Sequence, residues 1–194
     1  LIIKLNLQIM KKLILLVAVT LFAFNVNAQD VTFGAKAGVN FASLGGDDAD
    51  GLDSRTSFHV GGVVNIGLSE KFSVQPELVY SSQGASEGDN DLKMDYLNIP
   101  VLAKIQVADG FSVEVGPQIG ILLSADADGE DVKEFFKSSD FSGAVGLNYA
   151  LASGLNFGAR YNLGLGSIAD GDGDIMNNVF QVSVGWTFGG GGGE

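Results

Sequence analysis

The stretch "VTFGAKAGVNFASL", Val31 to Leu44, decides how the chain is read. Val31, Phe33, Ala35, Ala37, Val39 and Phe41 occupy its odd positions, and Thr32, Gly34, Lys36, Gly38, Asn40 and Ala42 its even ones. Strict alternation of this kind is a β-strand with one apolar and one polar face. A soluble sandwich buries the apolar face, whereas a membrane barrel turns it outward to lipid. The reading therefore depends on which face is wet.

Outward from that strand, the same period of two recurs over Phe58 to Leu68, Phe72 to Ser82, Tyr96 to Val107, Phe111 to Leu123, Phe141 to Leu151, Leu155 to Ile168 and Phe180 to Phe188, which makes eight strands. Three connections are tight: Leu68-"SEK"-Phe72, Val107-"ADG"-Phe111 and Leu151-"ASG"-Leu155. Gly110 and Gly154 stand third in theirs, where a three-residue hairpin calls for a left-handed residue. The other four connections, "GGDDADGLDS", "GASEGDNDLK", "DADGEDVKEFFKSSD" and "ADGDGDIMNN", are long, polar and acidic. Short and long alternate without exception, so all tight turns are expected at one end of a closed up-and-down barrel.

Soluble lipocalin-type barrels share that strand count, so the faces must decide. No charge interrupts the face carrying Val60, Val64, Ile66, Val74, Leu78, Leu97, Ile99, Val101, Ile105, Val113, Val115, Ile119, Val145, Leu163, Val182 and Val184. The opposite face holds Lys36, His59, Glu77, Lys104, Glu114 and Arg160 among Asn, Gln, Ser and many Gly. That composition suits a narrow polar lumen. Aromatic residues also sort by height: Phe33, Phe72, Phe111, Tyr149, Phe157, Trp186 and Phe188 near the tight turns, and Phe41, Phe58, Tyr80, Phe141 and Phe180 near the long loops. Two such girdles flank the lipid-facing band of membrane barrels. The expected fold is all-β, an eight-stranded antiparallel up-and-down transmembrane β-barrel, with Lys36 and Asn40 facing the lumen and Phe33 and Phe41 facing lipid.

Ahead of the first strand, Lys11 and Lys12 precede an apolar run from Leu13 to Phe24, and Val26 and Ala28 hold the −3 and −1 cleavage positions. This is the pattern of a secretory signal peptide, too short for the roughly 20 apolar residues that cross a bilayer as a helix. The expected organisation is an upstream extension plus signal peptide over 1–28, a barrel over 29–188 and a Gly-rich tail over 189–194. Removing Lys4, Lys11 and Lys12 leaves 8 basic residues against 23 acidic ones, a formal charge of −15. Nucleic acid is thereby excluded as a partner, because phosphate backbones require a basic footprint. With no cysteine, disulfides, thiolate metal sites and cysteine nucleophiles are excluded too.

"SVQPELVYSSQG" (73–84), "YLNIPVLAK" (96–104), "VGPQIGILLSA" (115–125), "DFSGAVGLNY" (140–149) and "RYNLGLGSI" (160–168), in this order, resemble the small porin-family outer-membrane β-barrels common in Bacteroidetes. The resemblance implies a barrel similar in shape to OmpA or OmpX domains, located in the cell outer membrane of a Gram-negative envelope. Outer-membrane lipid, lipopolysaccharide and the assembly machinery that reads a terminal aromatic residue would then be its partners. Pro76, Pro100 and Pro117 fall inside strands, where each forfeits a ladder hydrogen bond, and local bulges are expected there.

Chemistry-bearing motifs are few. The Gly-rich runs precede no helix, so no phosphate loop is expected. His59, the only histidine, points inward with no serine at motif spacing and is read as a lumen residue. The Asp-rich loops have the carboxylates that flexible Ca²⁺ sites use, but none fits the twelve-residue calcium loop. A solvated anionic surface is the favoured reading, with Ca²⁺ or extracellular ligands as possible occupants. The lumen offers one constellation. Folding the "ADG" hairpin about Asp109 sets Lys104 opposite Glu114, with Glu77, Lys36 and Arg160 at comparable height. Eight strands leave room for little beyond side chains, so these five charges are expected to pair and plug the interior. The expected function is non-enzymatic: envelope structure plus presentation of acidic surface loops, with no cofactor. The alternatives are a narrow or gated channel for small solutes and a lipid-modifying barrel enzyme, against which the absence of a nucleophile beside His59 speaks.

Overall fold

A computed structural model describes residues 31–46, 51–88, 90–171 and 173–188. The signal peptide expected over 1–28 and the Gly-rich tail over 189–194 lie outside the described residues. The alternating segments form β1 (Val31–Gly45), β2 (Asp53–Gly67), β3 (Phe72–Glu87), β4 (Asn90–Ala108), β5 (Phe111–Ala127), the two-residue β6 (Glu130–Asp131), β7 (Ser139–Ala150), β8 (Leu155–Gly164) and β9 (Met176–Phe188). Every pairing is antiparallel. β1 pairs with β9 from Phe33↔Phe188 to Gly45↔Met176, and β4 pairs with β5, so the eight long strands close into a barrel.

The period of two fixes which residues point where. Lys36, Asn40, His59, Glu77, Glu114 and Arg160 turn inward, while Phe33 (58% exposed), Val60, Leu78, Val145 (54% exposed), Leu163 and Val182 cover the outside. A continuous apolar outer face of this extent is unstable against water and is stable against hydrocarbon. Both aromatic belts lie on it. Phe41 stacks on Phe180 at 6.2 Å and Phe58 leans on Tyr80 at 5.8 Å at the long-loop end, while Phe111 meets Tyr149 at 4.5 Å at the tight-turn end. Gly110 and Gly154 adopt φ of +72° and +94° in their turns, as the hairpin geometry requires.

Three expectations need correction. "GASEGDNDLK" is not a long loop: β3 runs to Glu87 and β4 starts at Asn90, with pairing continuous from Gln83↔Met94 to Glu87↔Asn90. The alternation of short and long connections therefore has an exception. Turn-like composition was outweighed by cross-strand bonds. The Ser86 hydroxyl donates to Asp91 at 2.6 Å, and Arg55 Nε reaches the same carboxylate at 3.4 Å. The Ser86 bond, then Arg55, holds Asp91 below the usual carboxylate range.

The prolines cause no bulges. Pro76 pairs in register with Val101, Pro100 with Gln118 and Pro117 with Gly143, and the register is the same on either side of each. The missing N–H groups leave short gaps in the ladder without shifting it. Register shifts fall instead between Ser54 and His59, Asp95 and Tyr96, and Gln106 and Ala108. Finally, β8 stops at Gly164, short of the expected Ile168, and Ile168 turns inward to complete burial.

Candidate functional site

The inward faces of β1, β3, β4, β5 and β8 bring Lys36, Glu77, Lys104, Glu114 and Arg160 into one cluster across the lumen. Arg160 is its hub. Its planar guanidinium grips Glu77 with two bonds of 2.8 Å and reaches Glu114 Oε2 at 2.7 Å, the bidentate fork that suits arginine to a carboxylate. Lys36 Nζ shares Glu77 Oε2 with Arg160, donating to it at 2.5 Å. Lys104 and Glu114 stand directly opposite in the β4–β5 register, with Nζ 3.4 Å from Oε1. Glu77, Glu114 and Arg160 are all buried, so desolvation is offset only because each charge has an opposite partner.

Two residues that the charge pattern does not reveal bind the cluster together. Gln75 donates to Glu77 at 2.8 Å and accepts from Lys104 at 3.4 Å, and Asn148 on β7 accepts from Lys104 at 3.1 Å. Their inward parity is visible in the sequence; their partners across the barrel are not.

Toward the long loops lies a neutral polar layer. Asn40 donates to Ser81 Oγ at 3.0 Å and to the Ser82 carbonyl at 2.7 Å, and its Oδ1 accepts from His59 Nδ1 at 2.8 Å and from Gln181 at 2.9 Å. That arrangement places the His59 proton on Nδ1. Nε2 has no protein partner among the described residues, and although Ser81 stands opposite in the β2–β3 register, the hydrogen bond of His59 goes to Asn40. Gly38 makes room for the ring: a Cβ there would lie 2.7 Å from His59 Cε1 and 2.0 Å from the Val182 carbonyl.

Beyond this layer the interior combines an apolar cluster with buried polar groups, Asn177 Nδ2 donating to Gln83 Oε1 and, at 3.2 Å, to the buried carboxylate of Asp140. Leu44, Ala85, Met94, Tyr96, Leu122, Ala125 and Ile168 form a buried cluster, with Leu52, Val132, Phe136 and Ile175 from the long connections packed on it. The β5–β7 and β8–β9 connections pair with each other above it, through Phe136↔Ala169 and the bond from Lys137 N to the Ile168 carbonyl at 2.7 Å. The sequence signal for this cap is the run of apolar residues Leu44, Ala85, Met94 and Leu122 on an otherwise polar face. At the tight-turn end, by contrast, the lumen opens into a cavity of about 330 Å³ whose inner wall carries Lys36, Glu77, Lys104, Glu114 and Arg160. Among the described residues, no group of three or more His, Asp or Glu side chains is placed to hold a metal ion.

The profile of the family described as "Outer membrane protein beta-barrel domain" matches residues 14–188. The chain belongs to that family. Its location is the outer membrane, so the tight turns face the periplasm and the long connections the exterior. The fold of this outer-membrane barrel is similar to that of the crystal structure of Neisserial surface protein A, with a TM-score of 0.58 at 13% identity over 80% of this chain and 97% of that one. Ail, the attachment invasion locus protein of Yersinia pestis, gives 0.54 at 15% identity over 82% and 99%. At such identities the likeness carries the fold alone. No curated protein sequence matches the chain.

Proposed function

We propose that this barrel is a non-enzymatic envelope protein whose lumen is closed to solute flow and whose exterior connections present an acidic surface for contact. The observation that carries this reading is the stacking of three closures in one narrow lumen: the Arg160–Glu77–Glu114 cluster, the Asn40–His59–Gln181 layer and the apolar cap around Met94, Tyr96 and Ile168. A pore would need all three to move. The exterior surface carries Asp53, Glu87, Asp126, Asp128, Glu130, Asp131, Glu134 and Asp170, far more than Arg55, Lys93, Lys133 and Lys137 can balance. It is built for cationic partners and for divalent ions shared with anionic lipopolysaccharide, and it repels polyanions.

Planar-bilayer recording of the refolded chain tests the reading. Closure predicts no steps of nanosiemens scale, and their appearance would overturn it in favour of a solute channel.

A further inference from the structure

Charges in the periplasm-facing half of the lumen do not balance. Arg160 and Lys36 hold the two carboxylates at short range, with the three Arg160 bonds at 2.7–2.8 Å and Lys36 at 2.5 Å from Glu77. Two cations and two anions thus form a neutral set. Lys104 is the surplus cation. It has one neutral acceptor at ordinary distance, Asn148 Oδ1 at 3.1 Å, and two longer contacts of 3.4 Å, to Gln75 Oε1 and to the Glu114 carboxylate. Its side chain is 20% exposed, toward the 330 Å³ cavity. That cavity is walled by strands whose outer faces sit in hydrocarbon, where an uncompensated charge is costly. Polar groups of Asn65, Ser73, Ser112, Asn156 and Ser183 line it as well.

We infer that this cavity is a binding site for one small anion of the carboxylate or phosphate class, held against Lys104. The ion completes the charge balance of this half of the lumen, the buried Asp140 carboxylate lying several residues further toward the long connections, and takes hydrogen bonds from an ammonium whose contact with the Glu114 carboxylate is 3.4 Å. The volume is at the lower end of the range for small-ligand sites, which admits such an anion with its water and excludes larger solutes. The entry route is the periplasmic mouth between the three tight turns, marked by Ser69, Phe111 and Ala150, where Glu70 and Lys71 offset each other in charge. The inference rests on the closed lumen proposed above, since a conducting pore would pass the ion on.

The test is calorimetric titration of the refolded barrel in zwitterionic detergent with sodium phosphate and, separately, sodium acetate. One saturable site per chain is expected for at least one of them. Lys104→Gln should abolish it, and Lys93→Gln, on the exterior face, should leave it unchanged. Glu114→Gln adds to the positive surplus and should tighten binding roughly tenfold or more. This opposite sign guards against misfolding, because a merely damaged barrel loses affinity in every variant. Absence of saturable binding by both anions, unchanged binding in Lys104→Gln, or weaker binding in folded Glu114→Gln would overturn the site. Conductance recorded on the same preparation separates failure of the site from failure of the closed-lumen reading: nanosiemens steps with binding retained indict only the latter.

Discussion

Glu114 faces Lys104 across adjacent strands, yet its shorter bond, 2.7 Å, goes to Arg160, forty-six residues further along the chain. The neighbour in register is the weaker partner. Arg160 is also the more deeply buried of the two cations, its side chain 8% exposed against 20% for Lys104, so its charge is screened less.

This ranks the lumenal substitutions. Arg160→Met removes the two-bond grip on Glu77 and the shortest bond to Glu114, leaving Lys36 and Lys104 as the cations beside those carboxylates, and breaking a buried ion pair typically costs about 3–5 kcal/mol. It should lower the urea midpoint of the folded barrel far more than Lys104→Met. Adding Glu77→Gln to Arg160→Met should recover part of the loss. Equal midpoints for the two lysine and arginine variants would show that Arg160 is not the hub.

Val101 and Gln106 test the assignment of faces. Val101 points to lipid between Pro76 on β3 and the β5 strand, while Gln106 opens on the periplasmic cavity. Arginine on the lipid face near mid-bilayer costs roughly 2–4 kcal/mol. Val101→Arg should therefore reduce the folded fraction, seen as loss of the fast-migrating band on unheated gels, and Gln106→Arg should be tolerated. The reverse order would mean that the barrel is inside out.

Gly38 and Gly62 are a matched pair for closure. A Cβ on Gly38 meets the Val182 carbonyl at 2.0 Å and His59 at 2.7 Å, whereas one on Gly62 finds nothing nearer than 4.0 Å. Gly38→Ala should impair assembly by forcing β1 away from β9. Gly62→Ala should refold as well as the parent chain under the same conditions.

The exterior cap can be opened without dismantling the barrel. Ile168 is fully buried among Met94, Tyr96 and Leu122, and a carboxylate placed there has no partner. Ile168→Asp should make the β5–β7 and β8–β9 connections sensitive to protease added to whole cells, while the strands below remain protected. Unchanged protease resistance would mean that the cap does not hold those connections.

What the sequence determined by itself was everything that a period of two can encode. Alternation in Val31 to Leu44 assigns Lys36 and Asn40 to one face and Phe33 and Phe41 to the other, and each residue's side follows from local backbone geometry alone. The height-sorted aromatics mark two interfaces for the same reason, since position along a strand is position across the bilayer. Even the Lys104–Glu114 register was legible, because a two-strand hairpin folds about its own turn.

Closure of the barrel decided the rest. The partner of Arg160 is Glu77, eighty-three residues away, and that contact exists only once β1 meets β9 and β4 meets β5, which sets the depth at which non-adjacent strands face each other. Turn-rich "GASEGDNDLK" became strand because its neighbours supplied ladder partners, and Ile168 left its strand because the cap had apolar volume to fill. A local pattern states which way a side chain points; what it meets there is a property of the closed wall.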